Sequence, residues 1–304
     1  MRGHPEKILS LLFIVVVMTA PPVASKEFTF DYQKIVEVDQ PATLDLRLGR
    51  GSVTVTGTSD DRVTIEAVKR IRASNSAEAE EVADHIEIKV RQEGAAVEVQ
   101  TNYLRMMSRG KSFWQKILGA GSDWYGDVEY QITVPSRTNL KLSCLSANVT
   151  VSSVEGDINI ENESGVIKGE FIFGPVTISQ PNGDIDLQWI EGDVRINATS
   201  GKIAVNQVRG ATDIATRTGE VYVRTELDSP RDSYVKTTSG RIHFLIPESA
   251  SGELSVETAG GEIETEVPIA IKSFTRSQLI GEFGQGGPKI HLSSASGNVV
   301  VAQY

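Results

Sequence analysis

The sequence predicts an all-β protein: a two-sheeted parallel β-solenoid with coils of about 18 residues, each coil consisting of two nine-residue half-coils. Three observations predict this fold. Apolar residues stand two and four positions after most glycines of a repeat, as Ile185 and Leu187 do after Gly183. The residue two positions before the glycine alternates between apolar and non-apolar, as in Val154 and Glu163, which makes the true period two half-coils. The glycines themselves recur every nine residues, at Gly156, Gly165, Gly174, Gly183, Gly192, Gly201, Gly210 and Gly219.

The repeat has a direct physical reading. Apolar residues at alternate positions form a short strand with one buried face. A glycine before each strand marks a turn where the backbone needs unusual dihedral angles or a close neighbour. Units of constant length then bury their apolar faces by stacking on one another. We therefore assign these glycines a structural role at the turns.

Residues 1–25 are predicted to be a secretory signal peptide. Arg2 and Lys7 give a basic start, an apolar run extends from Ile8 to Ala20, and a small-residue cleavage site lies near Ser25. The apolar run is too short to span a bilayer readily. We therefore expect the mature chain to be exported and to carry no transmembrane segment.

Residues 26–137 are predicted to form a strand-rich cap at the N-terminal end of the solenoid, because an exposed sheet edge recruits other strands. The segment 76–84 is typical of a short helix with Ser76 as its N-cap and acidic residues in its first turn. Alternating apolar residues on either side of Glu93-Gly94 predict a β-hairpin.

A loop at 103–126 interrupts the strands of the cap. It contains two of the three tryptophans of the chain, and no acidic residue occurs between Thr101 and Ser122. Aromatic and basic residues are enriched at binding surfaces, so one interpretation is a docking loop. The alternative is a flexible insertion whose aromatic residues cover the edge of the cap. The candidate binding residues are Arg105, Arg109, Lys111, Phe113, Trp114, Trp124 and Tyr125.

Residues 138–304 are predicted to be the solenoid itself. After Gly219 the glycine spacing lengthens to 21 residues, at Gly240 and Gly261, and the chain closes on a repeat-like strand at 296–301. The formal net charge is −10, which argues against nucleic acid or an anionic membrane as the main partner. Cys144 is the only cysteine and is expected to be a buried, unreactive thiol.

Calcium binding is not expected. A calcium-binding nonapeptide roll needs a Gly-Gly-x-Gly-x-Asp pattern, so that stacked turns surround each ion with oxygen atoms. Here each unit has one glycine, and the corresponding positions between Asp157 and Asp193 are interrupted by Pro175. We interpret these aspartates as turn caps, and we expect neither a metal nor another cofactor.

A catalytic site is likewise not expected. Lys168, Asp184, Asp186 and Lys202 are predicted to share an outward face, which would allow an acid/base cluster of the kind used on polysaccharides. Opposite charges on adjacent strands are, however, the usual composition of a solvated sheet. The histidines lack metal-ligand spacing. We therefore predict no enzymatic activity.

The repeat resembles a known family. Its Gly-Asp-Ile/Val steps (156–158, 183–185, 192–194) and Ser/Thr-Gly-x-Ile/Val steps (200–203, 239–242) are similar to those of the bacterial putative-adhesin β-repeat family, DUF4097. The resemblance covers nearly the whole mature chain. It implies a β-solenoid and offers no catalytic residues.

These observations lead to three functional hypotheses. The first is an exported, non-enzymatic module that binds or scaffolds at the cell envelope, in the periplasm or outside, with a glycan or protein as partner. The second is an enzyme that acts on polysaccharide, which would need a deep groove with close carboxylates. The third is a regulatory module that senses envelope stress.

Overall fold

A computed structural model describes residues 26–104 and 126–304 of the chain. The predicted signal peptide lies outside the described residues. The structure confirms the all-β prediction with one helix, α1 (Ser76–Asp84). The strands are β1 (Lys26–Glu37), β2 (Ala42–Thr58), β3 (Arg62–Ala73), β4 (Ile86–Glu93), β5 (Ala96–Tyr103), β6 (Asp127–Pro135), β7 (Thr138–Glu155), β8 (Ile158–Ser164), β9 (Ile167–Phe173), β10 (Val176–Asn182), β11 (Ile185–Glu191), β12 (Val194–Ser200), β13 (Ile203–Arg209), β14 (Thr212–Thr218), β15 (Val221–Thr225), β16 (Ser233–Ser239), β17 (Ile242–Ile246), β18 (Gly252–Thr258), β19 (Ile263–Thr265), β20 (Ala270–Phe274), β21 (Gln278–Phe283), β22 (Lys289–Ser294) and β23 (Val299–Gln303).

The strands stack into two sheets, as predicted, and successive half-coils alternate between them. Sheet 1 runs in the order β4, β5, the first half of β2, the first half of β7, β8, β10, β12, β14, β16, β22, β18, β21, β20. Sheet 2 runs in the order β1, β3, β6, the second half of β2, the second half of β7, β9, β11, β13, β15, β17, β23, β19.

The register of the central coils is the 18-residue period of the sequence. In sheet 1, Val176 pairs with Ile158 on one side and with Val194 on the other. In sheet 2, Ile185 pairs with Ile167 and Ile203 in the same way. These side chains are buried and form, with their equivalents, one continuous apolar core between the two sheets.

The coils at both ends do not follow chain order. At the N-terminal end, β2 lies between β7 and the coil formed by β5 and β6. The ladder of parallel strands therefore includes strands that precede residue 138 and belong to the predicted cap. At the C-terminal end, β22 and β23 lie between the coil of β16 and β17 and the coil of β18 and β19. Antiparallel strands cover the outermost coils, namely β1, β3 and β4 at one end and β20 and β21 at the other.

The predicted cap region, residues 26–137, contains the predicted helix and the predicted hairpin of β4 and β5. The predicted N-cap was wrong by one residue. Asn75 caps the helix, since its Oδ1 accepts the backbone N–H of Glu78 at 3.0 Å, whereas the hydroxyl of Ser76 donates to Glu80. Asparagine and serine are comparable N-caps, so the sequence does not separate two adjacent candidates.

The repeat glycines lie at the corners where the chain passes from one sheet to the other. At Gly183, φ is +124°, and a Cβ atom would lie 1.8 Å from the carbonyl oxygen of Gly165 in the coil below. A side chain there would meet both a disfavoured backbone conformation and a steric clash. The corner backbone of successive coils is therefore in direct contact.

Candidate binding surfaces

The predicted binding loop lies in the chain between β5 and β6, at the N-terminal end of the stack. Its two ends are described: β5 ends at Tyr103 and β6 begins at Asp127. The loop therefore leaves from the same column of corners that contains Gly51 and Gly165. The candidate residues Arg105, Arg109, Lys111, Phe113, Trp114, Trp124 and Tyr125 all lie outside the described residues.

The base of this loop is held by polar contacts. The Tyr103 hydroxyl donates a hydrogen bond to the carbonyl oxygen of Arg50 at 3.5 Å, and the Arg50 guanidinium lies 3.5 Å from a carboxylate oxygen of Asp127. Burial raises the pKa of Tyr103 to about 12, because desolvation disfavours the phenolate. A small cavity of about 200 Å³ next to these residues is also lined by Asn148 and Gly165. The loop thus starts and ends on a fixed corner of the stack.

A second surface, which we call the aromatic pair, lies on sheet 2 and consists of Phe171 of β9 and Trp189 of β11. Their ring centroids are 6.4 Å apart and their planes differ by 15°. Phe171 is 44% exposed and Trp189 is 53% exposed. Phe173, two residues after Phe171, is 46% exposed. Three large aromatic side chains therefore face solvent on two neighbouring coils.

The backbone explains why these rings point outward. Phe171 and Trp189 have φ values of 54° and 58°, and Ser153, at the equivalent position of β7, has φ of 59°. Regular alternation from Ile167 would place Phe171 inside the core. The left-handed residue shifts the alternation by one position, so Ile172 is buried and Phe171 is exposed. β13 lacks this feature, and its register with β11 shifts there.

Polar side chains surround the aromatic pair. Glu170 and Gln188 lie opposite each other on β9 and β11, and Glu191 lies opposite Phe173. The amide of Gln188 donates a hydrogen bond to Asp186 at 2.6 Å. Rings flanked by amide and carboxylate groups provide an apolar contact and nearby hydrogen-bonding groups in one place.

The four charged residues considered for catalysis do not form one cluster. Lys168 and Asp186 lie opposite each other on β9 and β11. Asp184 lies at the corner, where its Oδ1 accepts the backbone N–H of Lys202 at 2.8 Å. Asp184 therefore supports the corner of the next coil.

The aspartates considered for calcium also lie at corners. Asp193 Oδ1 accepts the backbone N–H of Ala211 at 3.0 Å and forms an ion pair with Arg231. Asp157 donates its backbone N–H to Asn139 Oδ1 at 2.9 Å. Within residues 26–104 and 126–304, no three or more His, Cys, Asp or Glu side chains are grouped so that they could hold a metal ion. The predicted role of these residues in turn capping is confirmed for Asp193.

The N-terminal end of sheet 1 carries an open groove of about 770 Å³ beside β2 and β5. Asp45 and Glu98 lie opposite each other in this groove. Arg47 is 3.6 Å from Asp45 and 3.9 Å from Glu98, and Lys141 is 3.9 Å from Asp45. Each carboxylate thus faces a cation, which is the charge pairing of a solvated sheet.

Sequence reasoning missed the aromatic pair. A strict alternation places Phe171 and Trp189 among the buried residues, and the exposed rings follow only from the left-handed backbone that precedes Ile172 and Ile190. One feature of the sequence could have revealed the exposed rings: an apolar residue stands two positions before the glycine in every second half-coil. If two half-coils have the same length, they can bury different positions only when the alternation of buried and exposed residues is broken in one of them.

Comparison with solved structures gives matches that cover most of this chain. A "putative cell adhesion protein" from Clostridium sporogenes is 13% identical, with 91% of this chain and 100% of that chain covered and a TM-score of 0.25. A "putative adhesin" from Bacteroides fragilis is 13% identical over 93% and 99% of the two chains, with a TM-score of 0.26. A "putative lipid binding protein" from Parabacteroides distasonis is 10% identical over 88% and 96%, with a TM-score of 0.29. No curated protein matches the sequence.

The family model gives the assignment. It matches residues 42–302, which includes β2 and every coil up to β23. The match confirms the resemblance inferred from the Gly-Asp and Ser/Thr-Gly steps. This chain belongs to the Toastrack DUF4097 family.

Proposed function

We propose that this chain is an exported, non-enzymatic binding module that attaches to a glycan or protein of the cell envelope. The observation that carries the proposal is the aromatic and basic composition of the loop at 103–126, whose ends are fixed to a corner of a long solenoid. Binding residues are commonly placed on loops that a rigid scaffold positions. Trp114 and Trp124 provide the aromatic contacts, and Arg105, Arg109 and Lys111 provide positive charge.

The sequence supports export as part of this proposal. Residues 1–25 have the basic start, apolar run and small-residue site of a signal peptide. In the described part of the chain, no helix combines the length and apolarity needed to cross a membrane. We place the mature protein in the periplasm or at the outer face of the cell.

Co-sedimentation tests the proposal. The processed chain is mixed with envelope fractions of its own organism, next to a variant in which residues 105–125 are replaced by a short Gly-Ser linker. We expect the intact chain to pellet and the variant to remain soluble with an unchanged β-type circular dichroism spectrum. A second variant, Arg105→Gln/Arg109→Gln/Lys111→Gln, separates the contribution of charge from that of the rings.

Two results would contradict the proposal. If the intact chain stays in the supernatant with every fraction, the protein is not an envelope-binding module. If the linker variant pellets as well as the intact chain, the loop is not the binding element.

The groove beside Asp45 and Glu98 supports one alternative, an enzyme that acts on polysaccharide. Two neighbouring carboxylates are the usual catalytic pair of glycoside hydrolases. Release of reducing ends from envelope polysaccharide by the wild type, and its loss in Asp45→Asn, would favour that alternative over binding alone.

A further inference from the structure

We infer that the aromatic pair, Phe171 and Trp189, binds a neutral glycan of pyranose units with equatorial hydroxyl groups. The inference rests on the proposed function, because it names the envelope component as a glycan. It adds a contact surface on sheet 2, distinct from the loop at 103–126.

The first support is the backbone. Phe171 and Trp189 adopt φ values of 54° and 58°, a region where a bulky side chain is a genuine outlier. Backbone strain of this kind persists where the surrounding structure enforces it, and it is concentrated at functional sites. Here it occurs at the same position of three adjacent coils, since Ser153 shares it, and at Phe171 and Trp189 it turns both rings out of the core.

The second support is exposure. The rings are about half exposed, although the alternation of each strand would otherwise have buried them. Burial of an aromatic ring stabilises a fold, so exposing two of them forgoes that stabilisation. Neighbouring apolar side chains on a surface commonly mark an interaction site. Packing of the core therefore gives no reason for aromatic residues at these positions.

The chemistry of the surface indicates the class of ligand. An aromatic ring carries partial negative charge on its faces. A pyranose with equatorial hydroxyl groups presents axial C–H bonds, which carry partial positive charge, on the faces of its ring. Glu170, Gln188 and Glu191 lie beside the rings and offer acceptors and an amide donor to hydroxyl groups at the edge of the sugar. Rings on adjacent coils allow contacts with more than one sugar unit.

The charges around the rings select against other ligands. Glu170, Asp186 and Glu191 are exposed carboxylates on the same two strands. Lys168 faces Asp186 and Arg209 of β13 faces Glu191, whereas the residues opposite Glu170 on both neighbouring strands are uncharged. The chain as a whole has a formal net charge of −10. Repulsion of like charges disfavours polyanionic glycans and anionic lipid headgroups. A neutral glycan matches both the rings and the charge.

Titration calorimetry with cellohexaose and chitohexaose tests the inference, with polygalacturonate as the polyanionic comparison. The variants are Phe171→Asn and Trp189→Asn, because asparagine adopts the left-handed conformation more readily than an aromatic residue. Phe274→Asn is the matched control, since Phe274 is 65% exposed on β20 at the C-terminal end of the stack.

We expect at least one of the two neutral hexasaccharides to bind and polygalacturonate not to bind. Each aromatic-pair variant should lose at least ten-fold in affinity, while Phe274→Asn binds as the wild type does. The melting temperature of Trp189→Asn should equal or exceed that of the wild type, which separates lost binding from lost folding.

Four results would overturn the inference. These are no binding of either hexasaccharide by the wild type, unchanged binding by both aromatic-pair variants, binding only to neutral phosphatidylcholine vesicles, and a wild-type dimer in sedimentation velocity that Trp189→Asn dissociates. The last would make the aromatic pair an interface between copies of this chain.

Envelope pelleting of the wild type without hexasaccharide binding would refute this inference and leave the proposed function standing. Absence of pelleting would refute the proposed function.

Discussion

The two sheets use the same position of the repeat in opposite ways. We call it position 6, the sixth residue after the corner residue of each half-coil. In the first coils of sheet 1, position 6 is buried, at Cys144, Asn162 and Gln180. In the same coils of sheet 2 it is exposed and left-handed, at Ser153, Phe171 and Trp189.

The buried amides of sheet 1 stabilise the corners. Asn162 donates to the carbonyl oxygen of Ala147 at 3.0 Å and to Gln180 Oε1 at 2.9 Å, and Gln180 donates to the carbonyl oxygen of Gly165 at 3.2 Å. The same repeat position therefore faces the interior in one sheet and solvent in the other. The difference arises because the residue at position 6 in these coils of sheet 2 has a positive φ.

The largest effect is expected at the corners, which both sheets share. In Gly183→Val, the new Cβ would lie 1.8 Å from the carbonyl oxygen of Gly165 in a backbone with φ of +124°. We expect a loss of roughly 4 kcal/mol or more in the free energy of unfolding. Gly94→Ala is the control, because Gly94 also has a positive φ but a Cβ added there would meet no atom of residues 26–104 and 126–304 within 4 Å beyond its chain neighbours. It should lose only about 1 kcal/mol. Equal losses in urea denaturation would show that the contact between coils is not the cause.

The next effect concerns position 6 of sheet 1. Gln180→Leu removes the donor to two backbone carbonyl oxygens and the acceptor of the Asn162 amide. Because buried polar groups are left without partners, we expect the free energy of unfolding to fall by about 2–3 kcal/mol. Ser179→Ala on the exposed face should change it by less than about 0.5 kcal/mol. A neutral Gln180→Leu in urea denaturation would mean that these amides do not support the corners.

A pH-dependent effect is expected from Cys144, which also lies at position 6 of sheet 1. Desolvation raises the pKa of its thiol to about 12. The unfolded chain ionises first, at a pKa of about 8.5, so the contribution of the neutral thiol is complete below that pH and declines between about pH 9 and 12. The difference in unfolding free energy between wild type and Cys144→Ala should therefore shrink over that interval. A constant difference would contradict a buried neutral thiol.

The smallest effect is expected at the exposed side chains that cap the corners. Asp184→Ala removes the acceptor of the Lys202 backbone N–H and should lower the free energy of unfolding by roughly 0.5–1 kcal/mol. Asp184→Asn keeps an acceptor and should lose less. If the two variants lose equally in thermal denaturation, the hydrogen bond is not the source of the effect.

Much of this fold could be predicted because its determinants are local. The glycine spacing gives the corners, and the pairing of Ile185 with Ile167 and Ile203 repeats a pattern readable in a single stretch of sequence. The two-sheet architecture follows from the same period.

The order of the end coils depends on pairing between distant segments. Val299 pairs with Ile242 and Ile263, although it follows both in sequence. Nothing in the strand at 296–301 distinguishes a coil inside the stack from one at its end. The sequence therefore suggests that the last strand of the chain lies at the end of the solenoid. In sheet 2, however, β19 lies at that end.

The candidate binding surfaces were predictable only in part. The composition of the loop at 103–126 is visible in the sequence, but its attachment at Tyr103, Arg50 and Asp127 depends on the fold. The aromatic pair was missed because one left-handed residue reverses which of two adjacent side chains is buried.

The reversal at Trp189 and Ile190 can be measured through the unfolding free energies of Trp189→Ala and Ile190→Ala. Ile190 is 0% exposed and Trp189 is 53% exposed. We expect a loss of about 3 kcal/mol for Ile190→Ala and a change of less than about 1 kcal/mol for Trp189→Ala. A larger loss for Trp189→Ala than for Ile190→Ala would show that the tryptophan packs inside the core. That result would contradict the exposure of the Trp189 ring in the aromatic pair.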